Sequence, residues 1–147
     1  MSKPSQSLDI QQFALTHRFK LTDLRQAVLT ILLESPQPLG AYEILHILRK
    51  TRPSAEPPTV YRVLDFLEKQ QVVHHLSHNN TFMLCHIAQR HQDVSVVFTC
   101  SQCQQAQEFS DPNLVAYLAV LAQAQHIVIS NPILQISGQC KDCLARK

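Results

Sequence analysis

The sequence predicts an α+β chain in two parts, a helical first half and a smaller mixed half. Three observations predict it. Apolar residues recur at helical spacing between proline breaks up to about residue 70, the period turns extended after Gln71, and two Cys-x-x-Cys pairs lie in the last third of the chain.

The first half divides at its prolines. From Thr22, an N-cap residue type, Leu24, Ala27, Val28, Ile31 and Leu32 fall on one helical face, and Pro36 and Pro38 end that helix. Ala41, Ile44, Leu45 and Leu48 repeat the pattern, and the segment from Thr51 to Pro58, with three prolines, terminates it. Pro58 suits a first helical turn, so a third helix follows, with Val60, Val63, Leu64 and Leu67 inward and Tyr61, Arg62 and Asp65 pointing elsewhere. After Gln71 come two short strands, Val72 to Leu76 and Thr81 to Cys85, joined by a polar loop through His78, Asn79 and Asn80. Three short helices and a two-stranded ribbon are the order of a winged helix-turn-helix, whose last helix before the ribbon enters the major groove of DNA.

The second half reads as a strand from Val94 to Thr99, a short one near Gln107 to Phe109, and a helix opened by Asp111 and Pro112 with Leu114, Val115, Leu118 and Leu121 on one face. Residues His126 to Ile136 are extended, with Pro132 marking an edge or bulge, and Gly138 turns the chain into the last cysteine pair. A half this small has a marginal core of its own, so a structural metal or dimerisation is expected. The layout read from these patterns is a winged-helix DNA-binding domain over 1–85, a connecting segment over 86–93 and a small α/β domain over 94–147 stabilised by a metal or by dimerisation.

Composition narrows the function classes. With 147 residues, 45% of them apolar, the chain is long enough to bury a core, and only Gly40 and Gly138 are glycine. No apolar run approaches the roughly 20 residues needed to cross a bilayer, and the start MSKPSQSLDIQQF lacks the apolar core of an export signal. A soluble, cytoplasmic protein without a membrane partner is expected. The net charge of +2 lies wholly in the first half, where residues 1–70 hold nine Lys/Arg against seven Asp/Glu, while residues 71–147 hold four of each. Such a charge favours nucleic acid only if it is focused on one face and doubled by dimerisation.

Five cysteines in a reducing compartment point to metal or redox chemistry before structural disulfides. Cys100/Cys103 and Cys140/Cys143 each present two thiolates from a tight turn, and together they complete the tetrahedron that structural zinc prefers. A thioredoxin-like redox pair would need a βαβ setting at a helix start, which neither pair has. A second constellation is His74 and Cys85 on the two ribbon strands, His91 and Asp93 in the following loop, and Glu108 beyond the first pair. Mixed N, S and O ligands suit a zinc site that must bind and release, although any single histidine here reads more readily as a surface residue than as a ligand. A third is Pro57-Pro58-Thr59-Val60-Tyr61-Arg62. Arg62 and Tyr61 could reach base edges while Thr59 contacts backbone, or the segment is an ordinary amphipathic helix.

The strings LTDLRQAVL, AYEIL, PPTVYRVLDFLEKQQVVHH and FMLCH, with the two cysteine pairs in this order, resemble the Fur superfamily of metalloregulators, and within it the zinc uptake regulator branch. The resemblance runs from about Leu21 to Cys143. It implies a homodimer on double-stranded operator DNA, with one structural zinc and at least one regulatory zinc per chain. It further implies a structural site at Cys100, Cys103, Cys140 and Cys143, and a sensing site at His74, Cys85 and Glu108. The fourth sensing ligand falls on Asp93 by counting back from the first pair, while the nearest histidine is His91, and both are retained.

The function expected is therefore a zinc-responsive repressor of zinc uptake genes, switched by zinc at the interdomain hinge. Iron and peroxide sensors of the same family are the alternative, but they favour His and carboxylate where Cys85 stands. A zinc-stapled interaction module without a DNA role is another. An enzyme is not expected, nor a small-molecule substrate, since no Ser/His/Asp or HExxH arrangement and no glycine-rich phosphate loop occurs.

Overall fold

The computed structural model describes residues 9–86, 94–130 and 133–146, and the chain divides into two compact units, Met1–Leu84 and Cys85–Lys147. Each unit follows from its own apolar pattern.

In the first unit, Asp9 accepts the Gln11 N–H at 3.0 Å and opens α1 (Ile10–Thr16), a helix the sequence pattern does not announce because only Phe13 and Ala14 of its seven residues are buried. Helix α2 (Asp23–Glu34) starts where expected, the Thr22 hydroxyl accepting the Arg25 N–H at 3.3 Å. Its buried side chains are Val28, Leu29 and Leu32, while Leu24, Ala27 and Ile31 are half-buried. The inward arc includes Leu29 because α2 is packed by α1, α3 (Ala41–Leu48), α4 (Pro57–Lys69) and strand β3 (Thr81–Leu84) rather than by one neighbour. The short strand β1 (Leu39–Gly40) precedes α3, and the Gly40 N–H donates to Glu43 Oε2 at 2.7 Å. Pro57 and Pro58 form the first turn of α4, where a missing N–H costs nothing, and Val60, Val63, Leu64 and Leu67 are buried as expected.

Helix α4 ends in a six-to-one cap: Val72 N–H donates to the Leu67 carbonyl at 3.1 Å and Gln71 N–H to the Glu68 carbonyl at 2.8 Å, with Gln71 at φ 59°. Glycine is the residue that adopts this left-handed conformation without a Cβ clash. Gln71→Gly is expected to raise the stability of this unit by about 0.5–1 kcal/mol, seen as a higher urea midpoint at unchanged m-value, and a lower midpoint would show that Gln71 contributes more than its backbone. Strands β2 (Val73–Leu76) and β3 then pair antiparallel, Val73 opposite Leu84 and Leu76 opposite Thr81, with Asn80 at φ 54° closing the turn. β1 adds to the outer edge of β3, giving the order β1-β3-β2.

The second unit is a three-stranded sheet of order β5-β4-β6. Central β4 (Ser95–Cys100) pairs antiparallel with β5 (Ala106–Phe109) and parallel with β6 (Ile133–Gly138). Between them, Asp111 Oδ1 accepts the N–H groups of Asn113 at 2.8 Å and Leu114 at 3.2 Å and starts α5 (Pro112–Ala124). Among the described residues, the extended run expected from His126 is strand only over Ile133–Gly138, where β6 pairs with β4 from Ser95 onward. Pro132 lies outside the described residues. A short α6 (Lys141–Leu144) closes the chain.

The core of this unit is thin. Val94, Val96, Val97, Cys100, Ala122 and Cys143 are buried, whereas Leu121, expected to face inward, is 40% exposed, and Tyr117, Val120 and Val128 are open to solvent. No described helix is long and apolar enough to cross a membrane.

Candidate functional site

Strand pairing brings the two cysteine pairs together. Because β4 and β6 run parallel and in register up to Cys100 opposite Gly138, both strands end at the same edge of the sheet, and each is followed at once by its knuckle. Ser101 N–H donates to the Gly138 carbonyl at 2.8 Å, which ties the two turns. A side chain at Gly138 would bring a Cβ to 3.2 Å from the Phe98 ring, so the closely packed strand end suits glycine. Gln104 at φ 59° lets its N–H return to the Cys100 carbonyl at 2.9 Å and closes the first knuckle, while Cys140 caps α6 and Cys143 sits within it.

The four Sγ atoms of Cys100, Cys103, Cys140 and Cys143 all lie within 4.8 Å of one another. Cys103 Sγ and Cys140 Sγ are 3.8 Å apart, too far for a disulfide. Four sulfurs about 2.3 Å from a tetrahedral zinc would stand about 3.8 Å from each other, so the donor set and its spacing fit the ion.

Electrostatics agree with that fit. Backbone N–H groups of Cys103 and Cys140 aimed at Cys100 Sγ lower its pKa to about 6, and the Cys140 N–H is 3.4 Å from that sulfur. The neighbouring Cys140 sulfur and burial push Cys143 up to about 12. Four sulfurs this close cannot all ionise without a cation among them.

A second cluster centres on Glu108 of β5. It stands opposite Val97 in the β4–β5 register, on the face of β4 that also carries Ser95. Its Oε1 accepts the Ser95 hydroxyl at 2.9 Å and the Cys85 thiol at 3.4 Å, and its Oε2 accepts the His86 N–H at 2.7 Å. A carboxylate so held, with a buried thiol against it, pairs one hard and one soft donor. Ser95 was not singled out from the sequence, since a serine inside a β-rich run carries no signal there.

His74 lies on β2 of the first unit, buried and opposite Met83 in the register. His91 and Asp93 lie outside the described residues, as does all of the expected hinge except His86.

In the first unit, Tyr61 and Arg62 are exposed on α4, opposite its buried face, and Thr59 is half-buried in the first turn. Arg62 and Thr59 also line a cleft with Thr22 and Arg25 of the α2 end. Those two residues were not among the sequence candidates, because on the helical pattern they are only a cap and a polar-face arginine.

The family model described as the ferric uptake regulator family matches residues 16–137. The zinc uptake regulation protein of Escherichia coli (strain K12) is 31% identical over 125 residues, 85% of this chain and 73% of that protein. The ferric uptake regulation protein of Helicobacter pylori (strain ATCC 700392 / 26695) is 24% identical over 119 residues, 81% and 78% of the two. Among solved structures, a zinc uptake regulator complexed with zinc and DNA superposes with a TM-score of 0.85 at 28% identity, covering 93% of this chain and 91% of that one. The holo form of XcZur superposes with a TM-score of 0.79 at 31% identity, covering 92% and 98%.

Proposed function

Because the chain belongs to the ferric uptake regulator family, we propose that it is a zinc-responsive, DNA-binding transcriptional repressor of zinc uptake genes that acts as a homodimer in the cytoplasm. It is a regulator, not an enzyme. Residues 1–85 hold DNA, 86–93 form the hinge and 94–147 dimerise.

The observation that carries the zinc assignment is Cys85 against Glu108. A thiolate among the regulatory ligands favours zinc, whereas a ferrous sensor takes harder donors throughout, and the likeness to ferric regulators at 24% identity carries less weight than the 31% match. His74 joins Cys85 and Glu108 as the third regulatory ligand, and His91 or Asp93 supplies the fourth. Cys100, Cys103, Cys140 and Cys143 hold the structural zinc, which contributes folding free energy to a unit whose own core is small.

Dimerisation is supported by what this unit leaves uncovered. Tyr117, Val120 and Leu121 on α5, with Ile127 and Val128 just after it, are exposed in the single chain. That much apolar surface is covered when a second copy packs against it. Doubling the chain also doubles its modest positive charge and presents two α4 helices to two half-sites.

On α4, Tyr61 and Arg62 read the groove, and Thr59 contacts the backbone. Arg62→Ala is expected to lose about 1–3 kcal/mol of operator affinity, with a smaller loss on random DNA, if its fork pairs a base edge.

Metal content of the purified protein, followed by operator binding with and without added zinc, tests the whole assignment. More than one zinc per chain and an operator affinity that rises with zinc are expected. Binding that is indifferent to zinc, or that responds to ferrous iron instead, would sink it.

A further inference from the structure

We infer that Arg25, with Thr22 and Thr59, forms a seat for a backbone phosphate of duplex DNA beside Arg62 on the reading face of α4. The inference rests on the DNA-binding function proposed above. Its starting point is an arginine that is pinned. The Arg25 guanidinium carbon lies 3.5 Å from the centre of the Phe66 ring, and Nη1 donates to the Lys20 carbonyl at 2.6 Å. Phe66 is in turn braced edge-on by Phe19, with ring centres 5.9 Å apart. An aromatic contact uses the face of a guanidinium, and one in-plane donor is committed to Lys20, so further in-plane donors stay available in a fixed direction.

Arg25 borders a cleft of about 250 Å³ whose other lining residues are Thr22, Leu24, Thr59, Arg62 and Val63. Two arginines and two threonines line this small volume, and no acidic side chain is among the lining residues described. Thr22 caps α2, and Thr59 stands in the first turn of α4, so the starts of two helices approach the same cleft. A compact tetrahedral anion satisfies such a donor set from several sides at once.

A phosphodiester is the anion that the neighbouring surface supplies. Arg62, exposed on α4, can adapt to a base edge. Arg25, held by Phe66 and Lys20, cannot follow base identity and instead sets where the helix sits along the groove. Register on the backbone from Arg25 and discrimination from Arg62 are thus separate contributions from adjacent side chains.

Two variants and a salt series test this. Operator and random-sequence duplexes are titrated with wild type, Arg25→Ala and Arg25→Lys across a range of salt. Arg25→Ala is expected to weaken both duplexes by the same factor, roughly ten-fold, and to flatten the plot of log affinity against log salt by about one per protomer. Arg25→Lys, which keeps the charge but loses the planar stack, is expected to keep the wild-type slope and recover most of the affinity. Thermal melting accompanies each variant. An unchanged slope in Arg25→Ala, a loss confined to the operator, or a lowered melting temperature in both variants with no recovery by lysine overturns the inference, the last because it marks Arg25 as a packing residue only. Inorganic phosphate is added at constant ionic strength as a further arm. Displacement of random DNA at micromolar phosphate would assign the seat to a free anion and overturn the duplex assignment. If wild type binds neither duplex, the DNA-binding function falls as well. If it binds both with operator preference and Arg25→Ala behaves like wild type, only the seat falls.

Discussion

Cys140→Ser is expected to unfold the second unit and leave a chain that neither holds its structural zinc nor dimerises. Serine is a poor zinc ligand, and with one corner of the tetrahedron gone the remaining three thiols lose most of an interaction that in zinc-finger peptides is on the order of 10–16 kcal/mol. The unit has little to set against that loss, because among the described residues its sheet has three strands and its buried apolar side chains are few. The knuckle also ties the end of β6 to the end of β4, so losing it frees the parallel pairing that Ser101 and Gly138 extend. Zinc content, a thermal melt and size-exclusion chromatography measure the effect. Cys100→Ser, Cys103→Ser and Cys143→Ser are expected to do the same. A Cys140→Ser protein that is still dimeric, with unchanged melting temperature and zinc content, would refute the structural role.

Cys85→Ser has the opposite profile. The protein is expected to stay folded and dimeric with one zinc per chain, yet gain no operator affinity when zinc is added. Cys85 faces a carboxylate already oriented by Ser95 and by the His86 N–H, so a cation meets a prepared pair, and losing the thiolate leaves that pair with one donor. Zinc raises affinity only by as much as it prefers the DNA-competent state over the others. A wild-type gain of about 100-fold would correspond to about 2.7 kcal/mol of that preference, and Cys85→Ser should abolish most of it. His74→Ala and Glu108→Ala are expected to follow. His91→Ala and Asp93→Ala, measured side by side, assign the fourth ligand to whichever loses the response. If Cys85→Ser, His74→Ala and Glu108→Ala all respond to zinc like wild type, sensing lies elsewhere.

The two profiles separate the sites by what their loss does. One set of ligands is part of the folding free energy, and the other biases an equilibrium between folded states. A single titration of zinc against the wild type would not tell them apart, whereas the pair of cysteine variants does.

Read alone, the sequence determined what depends on near neighbours. The period of Val60, Val63, Leu64 and Leu67 specifies the buried face of α4, and with it the exposure of Tyr61 and Arg62. Thr22 and Asp111 mark helix starts because a cap bonds two or three residues along the chain. Each Cys-x-x-Cys pair announces its knuckle for the same reason. Only the tertiary structure decided how residues far apart in the chain meet. The parallel register of β4 and β6 sets Cys100 and Cys140 side by side across 40 positions, and the β4–β5 register turns Glu108 onto Ser95 and Cys85. The packing of α2 on α4 lays Arg25 over Phe66 and puts Thr22 and Thr59 in one cleft. Helix α1 and the exposed face of α5 escaped the helical pattern from opposite directions. The first has too few buried positions to show a period, and the second has a period whose apolar side the single chain does not bury. Which distant strands pair, and whether an apolar face finds a partner within one chain, are properties of the packed chain that no local spacing encodes.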